Sequence, residues 1–472
     1  MNTSEVAIVG AGPSGLMLGL DLVMQGVECT ILEKRDSIAS NLTRAFSVHA
    51  RTLDVLHTRG LAEMICARGM AVSSIPLLWG MDVHFDHVKS LFPKMLVIPQ
   101  FEIENVLIQQ YAALGGKIVY DTEVVGVRQS VDSVAARIQH HGREEWLEVA
   151  YLVGADGHHS SVRNAVDVEF IGSCVLPSVV IADAKIDSPP SDPLTLVANA
   201  QGFVFIAPFG DGYYRVLGWD PDLSPDDDEA HDFDRLQSMV KSVLGKDIKL
   251  RDSRWLSRFS SHERIAAHYR RNRVFLIGDA AHVHSPAGGL GMNLGLQDAI
   301  NLGWKLGAVL HRGASDKLLE SYEREMQPLG YRAVKESGRL IREATRRRGL
   351  SASIKDAVFT EVARVAPLRS LVERGLGSSI SGTTSTMSPA TPRPINRDRH
   401  SGTFAFELME NNGVVEALRH HRHVVVFPKD VSARKYAELQ DLEPVRVELS
   451  CEFRGARPRL IRPDGYIDEW KP

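Results

Sequence analysis

Residues 6–34, VAIVGAGPSGLMLGLDLVMQGVECTILEK, decide the fold of this chain. An apolar run, a glycine-rich turn, a helical stretch and a second apolar run predict strand, turn, helix and strand of a parallel α/β sheet. Gly10, Gly12 and Gly15 have the spacing G-x-G-x-x-G, and Glu33 ends the second strand 18 residues after Gly15. This arrangement binds dinucleotides, but it does not separate FAD from NAD, and a glycine-rich turn without a ligand is the alternative.

The three glycines have different physical roles in the dinucleotide hypothesis. Gly10 permits the tight turn, Gly12 lets the backbone approach a pyrophosphate, and Gly15 lets the helix pack closely on the strand. The helix N-terminus stabilises negative charge, and Glu33 accepts hydrogen bonds from ribose hydroxyls.

Two further strand ends carry polar motifs. YLVGADGHHSSVRNAV, residues 151–166, is a strand followed by Asp156 and Gly157 in the pattern D-G-x-x-S-x-V-R. FLIGDAAHVHSPAGGLGMN, residues 275–293, is a strand followed by Gly278, Asp279 and a loop crowded with glycines. Because ligands collect at the carboxyl ends of the strands in an α/β sheet, the three motifs predict three contacts along one long ligand.

The composition is typical of a globular protein of several domains. The chain has 472 residues, 55 Lys plus Arg against 59 Asp plus Glu, and 44% hydrophobic residues. Neither a basic nucleic-acid surface nor an apolar run of about 18 residues is present, so neither nucleic acid nor membrane is an expected partner. Cys29, Cys66, Cys174 and Cys451 form no C-x-x-C pair, which argues against a disulfide scaffold or structural zinc and favours the cytoplasm.

Taken together, the motifs resemble those of single-component FAD-dependent aromatic hydroxylases with the p-hydroxybenzoate hydroxylase fold. They are G-x-G-x-x-G, D-G-x-x-S-x-V-R, and G-D-A-A-H followed by P-x-G-G-x-G-x-N. TRAFSVHARTLDVLHTRGLAE (43–63) and VIPQFEIENVL (97–107) are similar to the branch of phenol hydroxylases, aromatic-polyketide hydroxylases and rifampicin monooxygenase. The resemblance covers about residues 5–390.

The resemblance implies a flavoprotein monooxygenase. It implies tightly held FAD, NADPH or NADH as a transient reductant, O2 as co-substrate and an aromatic small-molecule substrate. The implied reaction is hydroxylation of a phenolic or polycyclic aromatic natural product through a C4a-hydroperoxyflavin, in antibiotic or secondary metabolism. A closed, water-poor pocket is part of this chemistry.

The resemblance also assigns roles to residues. It gives Glu33 the adenosine ribose, Arg44 the pyrophosphate or flavin edge, and Gln100 and Asp279 the ribityl chain. Asp156 and Gly157 would serve FAD and the nicotinamide nucleotide, with Arg163 orienting their loop. The implied cofactor-binding residues are Gly10, Gly12, Pro13, Ser14, Gly15, Glu33, Lys34, Arg44, Gln100, Asp156, Gly157, Arg163, Gly278, Asp279, Pro286, Gly289, Gly291, Met292 and Asn293.

The loop at 286–293 is expected to lie beside the flat flavin ring. Glycines lack side chains, so main-chain donors can approach the ring edge-on. The helix that begins near Met292 would direct its N-terminal amides to the edge where reduced flavin carries negative charge. Arg44, Pro286, Gly288 and Gly289 are the candidate catalytic residues through this loop, and no general base is assigned because water or the substrate's own acidity could suffice.

Other polar and aromatic residues have simpler interpretations. His282 and His284 lack a third ligand, so packing beside the cofactor is favoured and no metal site is expected. His49 starts an apparent helix and is interpreted as a capping or core histidine, with a catalytic base as the alternative. Arg215 would be costly to bury unless it faces ligand or flavin. An apolar roof over the substrate, or alternatively ordinary sheet core, is predicted from Trp79, Phe85, Phe92, Phe203, Phe205 and Tyr213.

The predicted fold class is α/β, with a Rossmann-like FAD-binding domain, an inserted antiparallel-sheet substrate domain and a small thioredoxin-like C-terminal domain. The C-terminal domain lacks C-x-x-C, so a packing or dimer role is expected, and a missing closing helix puts its completeness in doubt. The predicted FAD-binding parts are 1–70, 98–174 and 272–390, the last with helices; the substrate parts are 71–97 and 175–271; the C-terminal domain is 391–472.

Alternative functions remain open at this stage. Baeyer–Villiger oxygenation by the same flavin and a non-catalytic protein that binds flavin or an aromatic ligand both fit the motifs. A flavin halogenase is disfavoured because LLWGM, residues 77–81, is not W-x-W-x-I-P. A two-dinucleotide reductase is disfavoured because no second G-x-G-x-x-G follows a strand, and acyl transfer has no support because G-x-S-x-G is absent.

Overall fold

A computed structural model describes most of the chain. Arg44, Trp79 and Cys451, which the sequence analysis names, lie outside the described residues. The residues that the structure describes are 4–37, 45–76, 82–190, 192, 194–199, 201–224, 228–345, 373–376, 378–379, 381–382, 403–426, 445–447 and 459–468.

Strands and helices alternate in the first part of the chain and strands dominate its middle. The strands are β1 (Val6–Val9), β2 (Cys29–Leu32), β3 (Ser47–Val48), β4 (Met70–Val72), β5 (Ser74–Pro76), β6 (Asp82–His84), β7 (Met95–Val97), β8 (Lys117–Val119), β9 (Thr122–Gln129), β10 (Val134–His140), β11 (Arg143–Val149), β12 (Tyr151–Gly154), β13 (Phe170–Ile186), β14 (Thr195–Asn199), β15 (Gly202–Pro208), β16 (Tyr214–Trp219), β17 (Leu250–Ala266), β18 (Arg270–Arg271), β19 (Val274–Leu276), β20 (His282–Val283), β21 (His423–Val426), β22 (Val445–Val447), β23 (Arg459–Ile461) and β24 (Ile467–Asp468). The helices are α1 (Pro13–Val23), α2 (Ala50–His57), α3 (Ala62–Cys66), α4 (Gln100–Ala113), α5 (Ser161–Ala165), α6 (Asp232–Leu244), α7 (Leu290–His311), α8 (Glu320–Ala344) and α9 (Asn412–Arg419).

The first large sheet is mostly parallel and has six strands in the order β18-β19-β12-β1-β2-β8. Strand β1 pairs in parallel with β2 on one side and with β12 on the other. All four residues of β1 are buried, as expected for a strand covered on both faces. The ends of β1, β12 and β19 therefore bring the three predicted motifs to one edge of this sheet.

The second large sheet is antiparallel, in the order β14-β15-β16-β13-β17-β20. Side chains alternate between its two faces. On β13, Val180 and Ala182 join the core under α6, whereas Val179 and Ile181 face the opposite cluster, with Phe203. One face is therefore closed by a helix, and the other contributes to the cavities described below. Strand β13 spans the predicted boundary at 174/175.

The described residues before α8 also form three smaller sheets. Strands β9, β10 and β11 form a meander, β3, β7 and β4 form a three-stranded sheet, and β5 pairs with β6. Among the described helices, none is long and apolar enough to cross a membrane.

The C-terminal segment packs on α7 and α8 through buried charges. Its described part contains α9 and the sheet β22-β21-β23-β24. Arg462 donates to both carboxylate oxygens of Glu325 on α8 at 2.9 and 2.8 Å, and Lys305 on α7 donates to the same carboxylate at 2.9 Å. Burial alone would raise the pKa of Glu325, but Arg462 and Lys305 outweigh it and hold the pKa at about 2. This buried ion cluster therefore joins the segment to the helices of the first domain.

Candidate active site

The turn between β1 and α1 is built by close backbone approach. A Cβ on Gly15 would lie 2.0 Å from the carbonyl oxygen of Gly10, and a Cβ on Gly10 would lie 2.4 Å from that of Ala155. A Cβ on Gly12, by contrast, would meet no atom of the described residues within 4 Å. Helix α1 begins here without a side-chain cap. Its N-terminal amides therefore face open space that suits an anion.

A cleft runs from this turn to the end of β2. Glu33 lies in it, and one of its carboxylate oxygens accepts a hydrogen bond from the Ala11 N–H at 2.7 Å. The other oxygen accepts from Arg35 Nε at 2.9 Å. Burial alone would raise the pKa of Glu33, but these donors hold it below its usual value, so the group is an anion ready to accept hydrogen bonds. Lys34 also lines this cleft.

The second strand end places Asp156 at the cleft and Arg163 beneath it. One Asp156 oxygen caps α5 by accepting from the Val162 N–H at 3.1 Å. The Arg163 guanidinium donates to the carbonyl oxygens of His158 and Ala280 at 2.9 and 3.0 Å and is 4% exposed. Arg163 thus ties two loops together and is not among the residues that line the cleft.

The third strand end is held by a residue that the sequence analysis missed. One carboxylate oxygen of Asp298, on α7, lies 2.6 Å from His282 Nε2 and accepts from the Gly278 N–H at 3.0 Å. Asp298 and His282 are both fully buried. This pair fixes the turn that presents Asp279 to the cavity. The signal was available, since Asp298 is the only acidic residue of α7.

Hydrogen bonds from Asn293 and His49 hold the backbone of the glycine-rich loop. Gly289 has φ of 62° and is the first residue before α7, a left-handed conformation that favours glycine. Asn293 donates from Nδ2 to the carbonyl oxygens of Ser47 and Gly289 at 3.0 and 2.8 Å. His49 Nε2 lies 2.8 Å from the Gly288 carbonyl oxygen. Burial lowers the pKa of His49 to about 4, so the ring is neutral at pH 7. Its Nε2–H donates a hydrogen bond to the Gly288 carbonyl oxygen.

Two cavities meet at this loop. The first is continuous with the Glu33 cleft, because both are lined by Gly12 and Ala155. The second is apolar and lies between the antiparallel sheet and the end of α8. Its described lining consists of Phe46, Ser47, Ile75, Pro76, Met95, Leu194, Leu196, Phe203, Phe205, Leu217, Pro286, Ala287, Gly288, Gly289, Leu340 and Ile341.

The first cavity and the cleft form one long groove that fits FAD. The ribose would lie at Glu33, the pyrophosphate at Gly12 and the α1 amides, and the flavin at the loop before α7. The groove is lined by the predicted residues Gly10, Gly12, Pro13, Ser14, Glu33, Lys34, Gln100, Asp156, Gly157, Asp279, Pro286, Gly289, Gly291 and Met292. Of the remaining predictions, Gly15, Gly278, Arg163 and Asn293 support its walls, Gly288 lines the apolar cavity, and Arg44 lies outside the described residues.

The hypothesis that Arg215 faces ligand or flavin is wrong. Arg215 is fully buried in the antiparallel sheet and makes two hydrogen bonds to Asp183, at 2.8 and 2.9 Å. Its guanidinium also lies 5.2 Å from the ring centroid of Phe209 and 5.0 Å from that of Trp255. The charge is compensated by Asp183 on the adjacent strand β13, which no local pattern reveals.

The aromatic side chains predicted to form a roof over the substrate lie in different places. Phe203 and Phe205 line the apolar cavity, whereas Phe85 lies in a neighbouring buried cluster. His284 hydrogen-bonds the Ser285 carbonyl at 3.0 Å, and burial lowers its pKa to about 4. Over the residues that the structure describes, no group of three His, Cys, Asp or Glu side chains is arranged to hold a metal ion.

Removing Asp298 is expected to weaken FAD binding. Asp298→Ala leaves the His282 and Gly278 N–H groups without their acceptor, so the turn before Asp279 loosens. We expect the FAD dissociation constant of the apoprotein to rise at least about tenfold in a fluorescence titration. Asp298→Asn keeps an acceptor oxygen and should retain more affinity, and Asp316→Asn, at an exposed ion pair, should bind as wild type does. Wild-type affinity in Asp298→Ala would refute this role.

Comparison with known proteins identifies the family of this chain. The model of the FAD binding domain family matches residues 3–337. A flavin-dependent monooxygenase from Mycobacteroides abscessus is 34% identical over 487 aligned positions, covering 98% of this chain and 96% of that protein. Rifampicin monooxygenase from Rhodococcus hoagii is 35% identical over 331 residues, 69% of this chain and 68% of that protein.

A solved structure shows that the similarity includes the fold. OxyS anhydrotetracycline hydroxylase from Streptomyces rimosus has a TM-score of 0.82 and 27% identity, covering 98% of this chain and 95% of that one. The family resemblance and the mixed α/β fold predicted from the motifs are thereby confirmed. The chain belongs to the FAD binding domain family, as a flavin-dependent aromatic monooxygenase.

Proposed function

We propose that this enzyme hydroxylates a phenolic or polycyclic aromatic natural product in antibiotic or secondary metabolism, in the cytoplasm, using NADPH or NADH. The observation that carries this proposal is the contact between the two cavities. Phe46, Ser47, Leu217, Pro286 and Gly289 line both of them. An aromatic ring in the apolar cavity would therefore meet the flavin end of the groove.

The relatives support a natural-product substrate. One is named for rifampicin and the solved structure for anhydrotetracycline. The apolar lining fits a flat, uncharged ring system, because an unpaired carboxylate buried there would be costly.

The residues of the chain have separate tasks in this proposal. Bound FAD supplies the activation of O2 that amino acids lack. The α1 amides and Glu33 hold its adenosine end, and the loop before α7 holds the flavin ring against the substrate. The apolar cavity excludes water from the reacting atoms. Its described lining carries no titratable side chain, so we assign no general base.

The finer architecture is part of the same proposal. The parallel sheet would be the Rossmann-like FAD-binding domain, the antiparallel sheet the inserted substrate domain, and the C-terminal segment a thioredoxin-like domain, with the boundaries predicted above apart from 174/175, which lies inside β13. The strand order of the two large sheets and the small C-terminal sheet support this division. We also propose that the enzyme forms a homodimer.

Substrate charge provides the first test. We expect 2-naphthol or 1-hydroxyanthraquinone to stimulate NADPH oxidation by the holoenzyme. With 2-naphthoate, which has the same skeleton as 2-naphthol, we expect an apparent kcat/KM at least about 100-fold lower, because its carboxylate would be buried unpaired. Enzyme without aromatic compound gives the basal rate.

Results other than these would support a different substrate class or a different function. Equal stimulation by 2-naphthoate would contradict the uncharged-substrate assignment. No stimulation by any compound would favour a protein that only binds flavin or an aromatic ligand. A product in which oxygen has been inserted into the C–C bond next to a ring carbonyl of the substrate would indicate the Baeyer–Villiger alternative.

A further inference from the structure

Ser47 occupies the junction between the two cavities. It is the first residue of β3, pairs with Val97 of β7, and is 2% exposed. Its backbone carbonyl accepts the hydrogen bond from Asn293 described above, so the residue is held firmly beside the loop. Ser47 is one of the residues that line both cavities.

The side chain of Ser47 faces the loop. A Cβ built on Gly289 would lie 2.3 Å from Ser47 Oγ, so the hydroxyl lies directly over Gly289. In the described part of the chain, Oγ has no hydrogen-bond partner. A hydroxyl that faces a cavity and has no partner in the protein is normally satisfied by water or a ligand.

The surroundings of Ser47 restrict what can satisfy it. Every other residue in the described lining of the apolar cavity is apolar or glycine, including Phe46, Met95, Leu217 and Leu340. A ligand in this cavity can therefore direct its polar atom to one described side chain, that of Ser47. A polar atom placed elsewhere against the described side chains would lose its hydrogen bond with water without replacement.

We propose that the Ser47 hydroxyl hydrogen-bonds an oxygen atom of the substrate, either a phenolic hydroxyl or a ring carbonyl. The bond fixes which end of a flat, otherwise apolar ring system reaches the loop at Gly289, so Ser47 is a substrate-binding residue that selects the orientation. This inference rests on the proposed function and adds the substrate feature that the enzyme recognises: one uncharged oxygen at the flavin end of the ring system.

Equilibrium binding to the FAD-loaded protein tests this without turnover. The probes are 2-naphthol and naphthalene, which differ by one hydroxyl group, and binding is followed by equilibrium dialysis in the absence of NADPH. In Ser47→Ala, we expect the preference for 2-naphthol over naphthalene to fall about fivefold, or about 1 kcal/mol, with naphthalene affinity unchanged. Ser47→Thr keeps the hydroxyl and should retain most of the preference.

Ser178→Ala is the matched control. Ser178 is a fully buried serine whose hydroxyl has no hydrogen-bond partner among the described residues, and it is absent from the described lining of both cavities. Its replacement should leave the preference at the wild-type value, which separates a local effect from a general loss of packing.

Three results would overturn the inference. They are an unchanged preference in Ser47→Ala, no binding of either probe to the wild type, and a Ser47→Ala effect confined to FAD affinity, which would assign the hydroxyl to the cofactor. The proposed function is judged separately, by product formation. An oxygenated product with an unchanged preference rejects only the role of Ser47, and a changed preference without any product rejects only the proposed function.

Discussion

Gly15→Ala is expected to destabilise the protein and to abolish FAD retention, whereas Gly12→Ala is expected to fold normally and bind FAD weakly. The Cβ at position 15 would lie 2.0 Å from a backbone oxygen of Gly10. Only a shift of the backbone can relieve this clash. Because α1 packs closely on the sheet, we expect a loss of at least about 3 kcal/mol in the free energy of unfolding.

Gly12 is the matched control within the same turn. Within the described part of the chain, its Cβ would meet no atom within 4 Å, so the cost to the apoprotein should stay below about 1 kcal/mol, the value of a poorer N-terminal cap. The methyl group would instead enter the space proposed for the pyrophosphate, raising the FAD dissociation constant at least about tenfold.

Thermal unfolding of both apoproteins and titration with FAD measure these effects. Normal FAD affinity in Gly12→Ala would show that the cofactor does not pass over this turn. Wild-type stability in Gly15→Ala would show that the contact between turn and helix is looser than the structure has it.

Asp183→Asn is the second substitution with a large expected effect. It leaves the guanidinium of Arg215 fully buried between Phe209 and Trp255 without the negative charge of Asp183 and with one acceptor oxygen in place of two. Breaking a buried ion pair from one side typically costs about 3–5 kcal/mol, because the remaining charge is desolvated. We expect a loss of this size in chemical denaturation at pH 7.

An exposed ion pair in the same sheet provides the control. Lys185 and Asp252 lie 3.2 Å apart with side chains 41% and 56% exposed. Asp252→Asn should therefore change the free energy of unfolding by less than about 1 kcal/mol. Equal losses in Asp183→Asn and Asp252→Asn would contradict the account of the buried pair, and Asp183→Leu combined with Arg215→Met should recover much of the stability.

The sequence predicted best the parts of the site that depend on neighbouring residues. The turn at Gly10–Gly15 and the loop at 286–293 are encoded by glycine spacing, and the structure brings both to one edge of a parallel sheet. The helix predicted to begin near Met292 is α7, at Leu290–His311.

What the sequence did not reveal depends on contacts between distant segments. Asp183 and Arg215 meet because β13 and β16 are neighbours in the sheet, although 32 residues separate them. The apolar cavity combines residues from β3, β15 and the end of α8, so Ser47 became a candidate only once these elements were assembled. Neither pairing has a local signature, because strand order is decided by the packing of the whole domain.

The most direct test of the proposed function is mass spectrometry of products formed under ¹⁸O2. Purified holoenzyme, NADPH and a panel of phenolic polyketides and rifamycin-like aromatics would be incubated and the products fragmented. The account predicts a product that carries one ¹⁸O atom as a hydroxyl group on an aromatic ring. NADPH consumption that yields only hydrogen peroxide with every compound, including those that bind in the apolar cavity, would contradict it.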